Sequence, residues 1–128
     1  MKKNPTETAY ANAVEGEATF LRAWEHFELY KVFKATPYMT ETDVEFNKPN
    51  DKPMVPLIIA DLEKSIQLSN ANKTSAGRID KTIATAYLGK VKLYNKDYAG
   101  ALAAFNTVIA SGKYKLADCI DRKSTRLN

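Results

Sequence analysis

The sequence predicts an all-α chain of four main helices arranged as antiparallel pairs, and three observations carry that expectation. Glycine and proline are scarce, five of each in 128 residues, which disfavours a turn-rich β sandwich. Apolar residues recur three and four apart in four separate stretches. The last two stretches are joined by so short a turn that their helices must lie antiparallel. Hydrophobic residues make up 45% of the chain and charged residues 27%, a composition that folds rather than stays disordered. The length suits one domain or part of a larger one.

The first helix is expected from about Glu7 to Phe33. Phe20, Ala23, Trp24, Phe27 and Tyr30 form its stripe, and Ala18, Leu21, Leu29, Val32 and Phe33 widen it, so burial against more than one neighbour is expected. Arg22, Glu25 and Glu28 belong to its wetter side. Gly16 inside this pattern costs about 1 kcal/mol against alanine; it marks either a close helix approach or a frayed helix start. Lys34 to Lys52 has no helical period and contains Pro37, Asn47, Pro49, Asn50 and Asp51. So long a connection is functional or mobile. The second helix spans about Pro53 to Leu68, with Pro53 and Pro56 in its first turn, where a missing N–H costs nothing. Its stripe is Ile58, Ile59, Leu62 and Ile66, with Asp61, Glu63 and Lys64 outward. A polar loop from Ser69 to Ala76 ends at Gly77.

The third helix covers about Asp80 to Tyr94, with Ile83, Ala84, Tyr87, Leu88, Val91 and Tyr94 inward. After the turn Asn95-Lys96-Asp97, Asp97 is the N-cap of the fourth helix. That helix runs from Tyr98 to about Ser111 with Tyr98, Ala101, Leu102, Phe105, Val108 and Ile109 in register, and Gly112 closes it. Lys113 to Leu116 is expected to be extended.

Charge and motifs exclude several classes. The net charge is +4, but Arg122, Lys123 and Arg126 against Asp121 supply half of it; without them 16 basic residues face 14 acidic ones, a net +2. Basic and acidic residues interleave elsewhere, which gives nucleic-acid binding little support. Cys119 is the only cysteine, so neither an intrachain disulfide nor a CxxC site is possible. No apolar run approaches the roughly 20 residues of a membrane span, and no apolar signal region follows Met1-Lys2-Lys3. GxSxG, Walker, GxGxxG and HExxH motifs do not occur, so enzyme activity, a catalytic residue set and a cofactor are not expected.

The second hairpin reads as a tetratricopeptide-like unit. Leu88-Gly89 fits the position where a small residue lets two helices approach, and Ala101 and Phe105 fit the small and aromatic positions of the facing helix. Lys92 stands where that repeat has tyrosine. Four segments then resemble the SusD/RagB family in family order. Gly16-Glu17-Ala18-Thr19-Phe20-Leu21-Arg22-Ala23 is similar to its GEArFLRA helix start. Ile58-Ile59-Ala60-Asp61-Leu62-Glu63-Lys64-Ser65-Ile66 is similar to IiaDLekAi. Gly77-Arg78 is similar to the start of GRvtk. Asp97-Tyr98-Ala99-Gly100-Ala101-Leu102 and Val108-Ile109-Ala110-Ser111-Gly112-Lys113-Tyr114 are similar to dYakAl and ViasGkY. The family's glycine after the first helix is missing from Phe33-Lys34-Ala35-Thr36-Pro37.

The resemblance covers about Ala9 to Leu116 and implies part of a cell-surface lipoprotein of the outer membrane. Such proteins bind glycans or other nutrients as a lid on a TonB-dependent transporter. Their helical repeats are scaffold and transporter-facing surface, and the lipid anchor is their only hold on the membrane. The anchoring cysteine is expected before Met1 and a larger C-terminal part after residue 120. No ligand-binding residue is carried over. A free-standing tetratricopeptide adaptor is the alternative; the long connection Lys34 to Lys52 breaks the period of about 34 residues that an adaptor would keep.

Residues 1–120 are therefore expected to be a partial SusD-like helical domain. Residues 121–128 are expected to be a non-native tail, because Asp121-Arg122-Lys123-Ser124-Thr125-Arg126-Leu127-Asn128 is spelled by one frame of a common sequencing adapter, GATCGGAAGAGCACACGTCTGAAC. His26, the only histidine, has no second ligand at metal spacing and reads as a packed or rim residue. Asp61 and Glu63 point to different faces and form no carboxylate dyad. Glu41, Asp43 and Glu45 lack the glycine and spacing of a calcium loop and read as a solvated acidic loop, so no metal is expected. Among aromatics that could stack on a sugar, Trp24, Tyr87, Tyr94 and Tyr98 fall on core stripes, while Tyr38 and Tyr114 are the surface candidates. Two helix pairs alone should leave apolar surface exposed, so that the chain is marginal or self-associating.

Overall fold

Four helices form where the apolar periodicity places them. The structure is a computed structural model that describes residues 5–44, 47–70 and 77–114. Helix α1 is Pro5–Phe33, α2 Met54–Leu68, α3 Lys81–Tyr94 and α4 Tyr98–Ala110. No strand occurs among the described residues. Cys119, the tail 121–128 and the last two residues of the expected extended segment, 115–116, lie outside them.

Local chemistry sets the boundaries. Asp80 caps α3 by accepting from the Ile83 N–H at 2.8 Å, and Asp97 caps α4 by accepting from the Gly100 N–H at 2.9 Å. Gly112 ends α4 at φ +62°, the left-handed conformation for which glycine carries no penalty. Lys34 adopts the same conformation, φ +63°, just after α1, and its N–H donates to Tyr30 O at 3.0 Å. A lysine thus stands at the left-handed turn for which the resemblance leads one to expect glycine, at a cost of about 1–2 kcal/mol. Its ammonium donates to the Tyr94 hydroxyl at 2.7 Å and lies 5.4 Å and 4.9 Å from the Tyr30 and Tyr94 ring centroids. Contacts of that kind offset part of the strain.

Each helix packs against the next in sequence, α1 on α2, α2 on α3 and α3 on α4. Phe20, Ala23 and Phe27 of α1, Met54, Val55, Ile58 and Leu62 of α2, and Ala84, Leu88 and Val91 of α3 form one core. Phe20 and Phe27 also reach past α2, meeting the Tyr87 ring edge-on at 5.4 Å and 5.8 Å. Of the two readings of Gly16, close approach holds: a Cβ there would lie 2.9 Å from the Ser69 nitrogen, and Ser65 Oγ donates to the Gly16 carbonyl at 2.7 Å.

The repeat-like hairpin is built as the Leu-Gly motif predicts. Gly89 is buried and a Cβ on it would meet the Phe105 ring at 2.8 Å, while Ala101 and Ala104 are buried on the facing helix. Gly89→Val is therefore expected to lower stability by about 1–3 kcal/mol through overpacking. The urea midpoint checks this, and an unchanged midpoint would refute the close approach.

Several side chains expected inside are outside. Trp24 and Tyr94 are exposed, and Tyr98 retains 65% of its surface; of the four core-stripe aromatics Tyr87 packs on the core half-buried, and Tyr94 meets it only through one ring edge at Phe27. On α1 the widening set Leu21, Leu29, Val32 and Phe33 is exposed, and on α4 so are Leu102 and Ile109. Helical spacing gives each of these helices a second apolar face that no described segment covers. Self-association is the expected consequence. Sedimentation should grow with concentration, and Leu102→Lys with Ile109→Lys should reduce that growth. A monomer at every concentration would contradict it.

Candidate functional site

The connection between α1 and α2 is not a loose loop. Its described residues, 34–44 and 47–53, are tied to the helices and to one another and line an open recess of about 310 Å³, with walls that include Thr36, Tyr38, Thr40, Asp43, Lys48 and Asn50. The first tie is ionic. On α1, Arg22 donates through Nε to Asp61 Oδ2 at 2.6 Å and through Nη2 to Asp61 Oδ1 at 2.8 Å, while Nη1 meets Glu41 of the loop. Asp61 in turn accepts from the Tyr38 hydroxyl at 2.5 Å. Three parts of the chain, α1, α2 and the loop, meet on one carboxylate.

Two expectations are corrected here. Helical spacing puts Arg22 and Asp61 on wet helix faces, yet Asp61 is buried and Arg22 half-buried. A helical wheel sets Asp61 beside Ser65 on the flank of the α2 stripe, so α1 covers both. Tyr38, expected on the surface, is only 7% exposed. Its burial comes from the long-range bond to Asp61, which no local period could reveal. The hydrogen bond to Asp61 holds the Arg22 guanidinium above its already high ordinary value, and burial, then the same carboxylate, raises the Tyr38 phenol well above the tyrosine range. Both groups therefore keep their protons.

The second tie is His26, buried in α1 at 8% exposure. Its Nδ1 lies 2.8 Å from the Arg22 carbonyl, its Nε2 accepts the Met39 N–H at 3.0 Å, and its ring stacks on Tyr38 with centroids 4.0 Å apart. It is the packed histidine that its sequence context indicated. A third tie lies within the loop. Asp43 accepts from the Thr40 N–H at 2.7 Å and from Lys48 Nζ at 2.7 Å, and Lys48 also donates to the Tyr38 carbonyl at 2.7 Å. The hydrogen bond from Lys48, followed by those from Thr40, lowers the Asp43 carboxyl to about 2.

The remaining sequence candidates separate. Glu63 is exposed while Asp61 is buried, so the two carboxylates do face apart. Glu41 and Asp43 are each committed to a protein cation, and Glu45 lies outside the described residues. No group of three or more His, Cys, Asp and Glu side chains converges as a metal site among the described residues. Tyr114, one of the two surface candidates, is partly exposed and donates to buried Asp80 at 3.1 Å. What the arrangement offers chemically is a recess with hydroxyl, amide and charged walls, held in shape by α1 and α2, in which Asp43 and Lys48 are already paired. Such a recess can accept hydrogen bonds from a polar ligand and donate to one.

Comparison with known proteins gives three likenesses. Residues 1–93 match the family model for SusD-like proteins, described as "Starch-binding associating with outer membrane". A SusD-like protein P38 of Formosa agariphila is 26% identical over 125 residues, covering 91% of this chain and 24% of that protein. A crystal structure of a SusD-like protein from Bacteroides fragilis superposes with a TM-score of 0.73 at 27% identity, over 86% of this chain and 23% of the other. The chain thus spans about a quarter of the length of either relative.

Proposed function

The chain belongs to the SusD-like family, and on that premise we propose that it is the helical part of a glycan- or nutrient-binding lipoprotein at the cell surface, working beside a TonB-dependent transporter of the outer membrane. The observation that carries this reading is the family match over residues 1–93. The helix pairs supply scaffold and transporter-facing surface, while glycan is held largely by the rest of the protein. Their architecture supports such a role. The core is continuous across α1, α2 and α3, and the outer faces of α1 and α4 carry apolar residues free to meet other protein surface. The role is binding, not catalysis.

The experiment is to sequence the locus through codon 120 and across the flanking genes, and to purify the intact protein from its outer membrane in mild detergent. The reading expects a frame continuing into a long C-terminal region, a lipoprotein signal upstream, a neighbouring transporter gene, and a transporter that co-purifies. A frame that ends at Asn128 with no transporter nearby would defeat it in favour of the adaptor. The same sequencing tests our proposal that residues 121–128 are adapter-encoded, since genomic sequence that spells them in frame would refute it.

A further inference from the structure

We propose that His26 is a protonation-sensitive staple that holds the loop 36–44, and with it one wall of the cavity, against α1 and α2. The geometry leaves the ring one role per nitrogen. Nδ1 faces the Arg22 carbonyl at 2.8 Å, which can only accept, so Nδ1 carries the hydrogen. Nε2 faces the Met39 N–H at 3.0 Å, which can only donate, so Nε2 must be bare. Turning the ring over would place a carbon at each partner, and the stacked Tyr38 ring, itself fixed by Asp61, restricts that motion. The staple therefore exists only while His26 is neutral. A proton on Nε2 sets donor against donor in a buried position, and the Met39 amide must leave.

The charged surroundings decide how the loop responds to that proton. Arg22 faces the site from α1, Asp61 from α2, and Tyr38 and Glu41 from the loop; Arg22 is bonded to both carboxylates, and Tyr38 keeps its proton. Both carboxylates are already held by Arg22, so the added proton meets the Met39 N–H as its partner and displaces it. Protonation thus moves the loop rather than unfolding the chain. The other loop clamp does not titrate with it. Asp43 is depressed to about 2 by Lys48 and Thr40, so its contribution is intact above its ordinary value and is lost only as pH falls toward about 2. Protonation of His26 releases the staple and leaves the Asp43–Lys48 clamp closed.

The test is clean because the chain has a single histidine. Amide NMR of the 128-residue chain is recorded from about pH 8 downward, through the titration that the ring's own resonances report. The expected result is that the Met39 amide shift follows the His26 ring titration. Its protection from exchange, corrected for the intrinsic rate, should fall about tenfold, the size of one lost buried hydrogen bond, while the Thr40 amide bonded to Asp43 keeps its protection. His26→Gln, whose side-chain oxygen can accept from Met39 without titrating, should remove the pH dependence. An unprotected Met39 amide at about pH 8, or a Met39 shift and protection indifferent to the titration of the wild-type ring, would overturn the proposal whether or not the variant folds.

Discussion

Phe27→Ala is expected to cost about 3–5 kcal/mol, the range for truncating a fully buried phenylalanine. Phe27 has no exposed surface. Its ring stands edge-on to Tyr87 at 5.8 Å and to Tyr94 at 5.5 Å, so together with Phe20 and Tyr30, which meet the same two tyrosines at 5.4 Å and 6.1 Å, it joins α1 directly to α3. Truncation removes the buried ring, both aromatic contacts and the platform under Lys31 Nζ, 5.5 Å from the centroid. Collapse cannot fill the gap cheaply, because Ile58, Leu62 and Val91 in the same cluster are already packed without exposure. Domains of this size have only about 5–15 kcal/mol in total, so the variant should show a large drop in urea midpoint by far-ultraviolet circular dichroism. Phe27→Leu should cost far less. Equal midpoints for the alanine variant and the wild type would mean that α1 and α3 do not share a core.

Periodicity made the helices legible but not their partners. The expected bounds of all four agree with the structure to within two residues at each end, because caps such as Asp80 and Asp97, the Gly112 stop and Pro53 are local chemistry. The close approach at Gly89 was legible for the same reason, as a small residue in one helix facing an aromatic in the next. Trp24, Tyr98 and Ile109 were misassigned because spacing reports which residues share a face, and only the rest of the protein determines whether that face is covered. The candidate site was less legible still. Tyr38 sits in a segment without period, and its burial depends on Asp61, which lies 23 positions on. Arg22 and Asp61 look like surface charges singly. The available signal was that both fall within segments that resemble the family, the GEArFLRA and IiaDLekAi stretches, whose pairing across α1 and α2 is what the structure supplies.

That pairing leads to the second large effect. Asp61→Ala removes the common acceptor of Arg22 and Tyr38, leaving the guanidinium with Glu41 alone and a buried phenol with no acceptor. Deleting one partner of a fully buried pair costs about 3–5 kcal/mol. The side chains here keep 21% of their surface at Arg22 and 12% at Asp61, so water restores part of the loss and about 2–3 kcal/mol is the expected cost. Asp61→Asn keeps an acceptor for Tyr38 and forfeits the charge, and should cost about 1–2 kcal/mol. A double-mutant cycle with Arg22→Met separates the ion pair from the phenol bond. Coupling above about 1 kcal/mol is expected, and coupling near zero would mean that the bidentate contact adds no stability. The alanine variant should also lose Met39 amide protection at neutral pH, because Tyr38 no longer holds the loop under the His26 ring. Protection that survives would show that the imidazole alone fixes that wall of the cavity, and that Asp61 serves the helix pair rather than the loop.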